Sequence, residues 1–158
     1  MKNTNLKYLI CFIVLLCFSG LSCTDEESED ISANLIGTWE STKIIENKTT
    51  EETDKYKLTF TNNKAVFQDF QEKIKMEANW SLVGQNLQLS GSYEENILDE
   101  TIYNSRTISY HVQKINSSQM ILDVISDKEV YTIGGTNQTN ENNYEKGDYR
   151  IYFNKISK

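Results

Sequence analysis

Ile74-Lys75-Met76-Glu77-Ala78-Asn79-Trp80-Ser81-Leu82-Val83-Gly84-Gln85-Asn86-Leu87-Gln88-Leu89 is the stretch that decides the fold class. Apolar side chains stand at every second position from Ile74 to Leu82, with polar ones between them. A strand sends successive side chains to opposite faces, so this period of two describes a strand with one buried and one wet face. Gly84-Gln85-Asn86 interrupts the pattern and Leu87-Gln88-Leu89 resumes it, which reads as a hairpin turn between two strands.

The same signal continues outward in both directions. Upstream, Tyr56, Leu58 and Phe60 alternate with Lys57, Thr59 and Thr61, and Asn62-Asn63 supplies a tight turn. Downstream, Ile108, Tyr110 and Val112 alternate with polar residues. Asn116-Ser117-Ser118 and Ser126-Asp127-Lys128 read as further turns. Strands are predicted near 36–46, 55–61, 64–70, 73–83, 86–92, 104–115, 119–126, 129–133 and 148–157, with loops at 47–54, 93–103 and 134–147. No window of 11 or more residues carries a helical stripe; the best helical candidate is the short stretch before Leu35. A meander of eight to nine hairpin-linked strands removes its edges by closing on itself. The expected fold is therefore all-β, an antiparallel up-and-down barrel of about eight strands.

The composition agrees and narrows the function classes. A length of 158 residues suits one domain. A net charge of −7 disfavours nucleic acid as a partner, because phosphates would be repelled. With 38% hydrophobic and 11% aromatic residues, the chain is too apolar to be disordered.

Several short motifs, in order, resemble the lipocalins and lipocalin-like bacterial lipoproteins. Leu35-Ile36-Gly37-Thr38-Trp39-Glu40 is similar to their Gly-x-Trp opening. Trp80 to Leu89 is similar to their aromatic strand, turn and Leu-x-Leu segment. Tyr152-Phe153-Asn154-Lys155-Ile156 resembles their last strand. The resemblance covers about residues 35–157. It implies a lipocalin-like barrel over 35–158 with a small apolar or amphipathic ligand in its mouth. It also implies that Trp39 packs at the closed end against a late basic residue, for which Arg150 and Lys155 are both candidates.

The N-terminal segment reads as an address. Lys2 and Lys7 precede an apolar run of 11 residues, Tyr8 to Phe18, short for a membrane span and suited to a secretory leader. Leu21-Ser22-Cys23 resembles the end of a lipoprotein signal, although Gly20 occupies the position where Leu is usual. Residues 1–22 are then the signal peptide, and Cys23 carries lipid and ties the chain to a membrane. The alternative is an ordinary secretory signal cleaved near Ser22. Residues 23–34 form a tether, within which 25–30 hold five acids in six positions and repel one another into an extended segment. This run resembles the surface-export tag of Bacteroidota lipoproteins. It implies an outer-membrane protein exposed on the cell surface, with the periplasmic face as the alternative.

Chemistry-bearing motifs are sparse. His111 is the only histidine, and no G-x-S-x-G elbow accompanies it, so no catalytic residue is expected and the chain is not read as an enzyme. Glu94-Glu95, Asp99-Glu100 and the Asn140–Asp148 segment offer oxygens but lack the order of a calcium loop, so no metal and no cofactor are expected. The aromatic residues Trp39, Tyr56, Phe60, Phe67 and Trp80 are placed to point into the barrel. So many large side chains suit a packed interior or shallow cup. Besides the ligand-binding module, a filled barrel that serves as a protein-interaction module of the envelope, its partner unknown, is the second reading.

Overall fold

The computed structural model describes residues 31–97, 100–133 and 135–157. Cys23, the leader and the acidic run 25–30 lie outside the described residues. Among the described residues a short helix, α1 (Ile31–Leu35), leads into ten strands. These are β1 (Gly37–Glu46), β2 (Thr49–Glu52), β3 (Tyr56–Phe60), β4 (Ala65–Asp69), β5 (Ile74–Val83), β6 (Asn86–Ile97), β7 (Glu100–Ile115), β8 (Gln119–Ile133), β9 (Thr136–Asn143) and β10 (Tyr149–Ser157).

All pairings are antiparallel, and eight strands close into a barrel. Neighbours run β10-β1-β3-β4-β5-β6-β7-β8, and β8 pairs back with β10 through the register Arg150↔Asp123 to Asn154↔Gln119. The alternation of the sequence becomes the wall of the barrel: β3 and β4 each bury their first, third and fifth residues. Inside, Trp39, Leu58, Phe60, Met76, Leu89 and Leu122 are at most 1% exposed, so the lower barrel is filled by side chains.

Three expected loops and one expected turn are corrected by the structure. The 47–54 loop contains β2, which pairs with the distal half of β1. Asn47 and Lys48 both take positive φ, as a two-residue hairpin turn of matching twist requires. The 93–103 loop is instead the continuation of β6 and β7, paired from Tyr93↔Asn104 to Ile97↔Glu100. The 134–147 loop contains β9, which pairs with the upper half of β8. All side chains of β2 and β9 are exposed, so no alternation marked them. Ser126-Asp127-Lys128 is not a turn: β8 runs through it, with a bulge at Ile125 where Ser109↔Ser126 gives way to Tyr110↔Val124. Cross-strand ladders on both sides override the local turn preference. Residues 31–34, assigned to the tether by sequence, form α1, whose Leu35 is fully buried against the barrel.

Close backbone approach explains Gly91. A Cβ there would lie 2.2 Å from the Glu77 carbonyl oxygen and 2.8 Å from the Ala78 Cα, both main-chain atoms of the neighbouring β5.

Candidate functional site

The two ends of the barrel differ chemically. At the closed end, α1 lies beside Trp39. The indole Nε1 donates to the Leu35 carbonyl at 2.8 Å. Lys155 places its ammonium 4.6 Å from the Trp39 ring centroid and donates to the Asn34 carbonyl at 3.0 Å. Of the two basic candidates, Lys155 is therefore the partner of Trp39. Arg150 instead binds Asp123, Nε to Oδ1 at 2.6 Å, across the β8–β10 seam. Trp80 is half-buried at this same end; its indole donates to the Thr61 carbonyl at 2.8 Å, and its ring meets Phe60 edge-on at 5.9 Å. It packs against the core from the rim instead of filling the interior.

At the other end, β6, β7, β8 and β9 rise beyond the rim. Their inward positions change from apolar to polar as they leave the barrel. On β7, Val112, Tyr110 and Ile108 are followed by Arg106 and Asn104; on β8, Leu122 and Val124 are followed, after the bulge, by Asp127 and Glu129. The result is a cavity of about 280 Å³ at the mouth. Tyr56, Tyr144 and Tyr149 line it together with five carboxylates and two cations. Of the sequence-selected aromatics, Tyr56 lines this cavity and the buried Phe67 lies beside it, ring centroids 5.6 Å apart. Trp39, Phe60 and Trp80 lie at the opposite end.

The polar groups of the mouth hold one another in place. Arg106 grips Asp127 in a two-pronged pair, 2.9 Å from Nε and 2.5 Å from Nη2, and its guanidinium lies 5.3 Å from the Phe67 ring centroid. Burial pulls the Arg106 pKa down, but the Asp127 carboxylate outweighs it and the net shift is upward. The Tyr56 and Tyr149 hydroxyls hydrogen-bond at 2.6 Å, and the Tyr144 and Tyr149 rings meet edge-on at 5.2 Å. The Tyr93 hydroxyl donates to Glu129. Asp69 accepts from the backbone N–H groups of Gln71 at 2.9 Å and Glu72 at 3.0 Å, with the Lys55 ammonium 3.8 Å away. Among the described residues, no group of three or more His, Cys, Asp or Glu side chains is arranged to hold a metal ion. His111 lies on the outer face of β7, where its Nε2 accepts from Lys146 at 3.0 Å.

Burial raises the phenol pKa of Tyr56, Tyr93, Tyr110 and Tyr149 above the ordinary value. The folded state therefore retains these protons where the unfolded chain releases them. Their contribution is fully present below about pH 10 and is lost as the pH rises beyond it. The urea midpoint is expected to fall above about pH 10, with the share of tyrosinate absorbance due to these four phenols appearing together with loss of the circular dichroism signal. Tyr110→Phe should flatten that dependence. Ionisation of these four phenols in a protein that stays folded would contradict the assignment.

No protein-family model matches the chain, and no curated protein sequence does. Among solved structures, the chain is similar to a lipocalin-like protein from Bacteroides uniformis ATCC 8492, with a TM-score of 0.50 and 13% identity over 78% of this chain and 99% of that one. It is also similar to an uncharacterized protein from Bacteroides eggerthii DSM 20697, with a TM-score of 0.49 and 9% identity over 77% of this chain and 99% of that one. Together with the closed eight-strand antiparallel wall, the first likeness defines the class: the fold is a lipocalin-like β-barrel.

Proposed function

We propose that the chain is a lipid-anchored envelope protein whose barrel mouth binds a small amphipathic molecule, and that its role is binding and not catalysis. The observation that carries this reading is the mouth cavity, seated above a filled barrel and lined by phenol rings and charged groups. Its volume of about 280 Å³ suits a metabolite-sized ligand. The charged lining favours an amphipathic occupant over a purely apolar one, which would leave carboxylates desolvated without a partner. The exposed large apolar residues stand apart: Phe70 and Tyr103 towards the mouth, Val83 and Ile156 towards the closed end. Native mass spectrometry of the full chain, extracted from its own host in mild detergent, is expected to retain a small-molecule mass. Asn142→Trp, which fills the mouth from β9, should remove that mass. A stoichiometric protein partner in place of the small molecule would favour the interaction-module reading and overturn this one.

Anchoring rests on the leader, the lipoprotein-like Leu21-Ser22-Cys23 and the acidic run that follows. The chain enters the barrel through α1 at the closed end, so a lipid on Cys23 would hold that end towards the membrane and leave the mouth facing away. Cys23→Ala is expected to release the protein into the soluble fraction or to block maturation; a membrane-bound variant of normal mass would end the lipoprotein reading. Replacing residues 25–30 with Ser and Gly should change the domain's stability by less than about 0.5 kcal/mol, as for other surface segments. The same change is expected to trap the protein on the periplasmic side. Protease shaving of intact cells distinguishes the cases, since equal accessibility of both forms reduces the segment to a spacer.

A further inference from the structure

We infer that the mouth selects a small organic cation, an ammonium on a short apolar or aromatic body; the inference rests on the reading of the mouth as a ligand site. The cations of the lining are already engaged. Arg106 is held by Asp127 through two hydrogen bonds, and Lys55 lies 3.8 Å from Asp69 and 4.9 Å from the Tyr56 ring centroid. An anionic ligand would have to break one of these pairs. Glu46, Glu72 and Glu129 remain in the lining with no cation paired to them among the described residues. The mouth thus carries an excess of negative charge, and its walls focus that field on whatever enters. Tyr56, Tyr144 and Tyr149 line the cavity beside these carboxylates, and an ammonium is attracted to the face of such a ring. Burial keeps the Tyr56 and Tyr149 phenols protonated, so their rings are neutral.

Asn104, whose side-chain oxygen is buried without a hydrogen-bond partner, stands one inward position beyond Arg106 on β7, outside the residues that line the cavity. A metal ion fits less well, because the carboxylates do not converge into a chelating group.

The test uses three probes of one skeleton, 2-phenylethylammonium, 2-phenylethanol and 3-phenylpropionate, titrated calorimetrically into the full chain in nonionic detergent. The ammonium is expected to bind about tenfold more tightly than the alcohol, the carboxylate to bind more weakly than both, and added salt to narrow the difference. Glu129→Gln, which keeps an acceptor for the Tyr93 hydroxyl, should reduce the ratio of ammonium to alcohol affinity while leaving the unfolding midpoint near wild type. Alcohol or carboxylate binding as tightly as the ammonium would overturn the cation assignment and leave the mouth as a ligand site. Failure of all three probes to bind, in a sample that retains a host-derived small molecule displaceable by none of them, would also overturn the cation assignment. Failure of all three in a sample that carries no such molecule would overturn both readings.

Discussion

Trp39→Ala is expected to lower the unfolding free energy by about 3–5 kcal/mol, the range for deleting a buried large aromatic side chain. The residue is 0% exposed, and its loss does more than open a cavity. It leaves the Leu35 carbonyl without the indole donor at 2.8 Å and removes the ring against which the Lys155 ammonium rests. α1 is only five residues long and cannot persist without such tertiary contacts, so it should detach from the closed end. Gly37 explains why the site tolerates so little change. It has φ +128°, and a Cβ there would lie 2.6 Å from both Lys155 Cε and the Ser157 carbonyl oxygen. Urea unfolding followed by circular dichroism measures the effect. Trp39→Phe keeps part of the ring but not the donor, and should lose less. A Trp39→Ala variant with the wild-type midpoint would place the energy of the closed end elsewhere.

Arg150→Met is expected to cost about 3 kcal/mol, near the lower end for breaking a buried ion pair. Asp123 is fully buried on the outer face of β8, where β7, β8 and β10 meet. Its carboxylate accepts from Arg150 Nε at 2.6 Å, from Arg150 Nη2 at 3.2 Å and from Gln113 Nε2 at 2.6 Å. Without Arg150 the negative charge stays buried with the Gln113 amide as its remaining donor, which is why the loss falls at the low end of the range. The pair spans the seam that closes the barrel, so its rupture should also loosen the β8–β10 ladder and expose its amides to hydrogen exchange. The double change Asp123→Leu with Arg150→Met removes both charges and should recover most of the stability, as apolar replacements of buried pairs do. A single variant that loses less than about 0.5 kcal/mol would assign the pair no role in closure.

Local pattern carried the fold a long way. Strands whose apolar and polar residues alternate, such as Tyr56-Lys57-Leu58-Thr59-Phe60 and Ile74 to Val83, announce themselves because the pleat converts a period of two directly into an inside and an outside. Turn residues between them set the hairpins, and the number of hairpins was enough to require closure. The same logic failed for β2 and β9, whose side chains are exposed on both faces and therefore show no alternation. It failed at Ser126-Asp127-Lys128, where turn-forming residues sit inside a continuous strand because β7 and β9 satisfy its backbone from both sides.

The mouth was legible only in fragments. Tyr56 and Phe67 stood out as inward aromatics, but Arg106, Asp127, Glu129, Tyr144 and Tyr149 gave no local signal of acting together. Their contacts join residues far apart in the chain: Arg106 and Asp127 are separated by 21 positions, and Tyr56 and Tyr149 by 93. Which charges meet depends on strand register, and register here is set by bulges at Ile125 and Gln113. A bulge inserts one residue and moves every later side chain to the other face. The choice of Lys155 over Arg150 as the partner of Trp39 was decided in the same way, by the pairing Trp39↔Lys155 across β1 and β10. The sequence by itself determined the barrel, because burial of alternate residues is a local property of each strand. Only the tertiary structure decided the chemistry of its mouth, because an ion pair between strands exists only after closure has fixed their register.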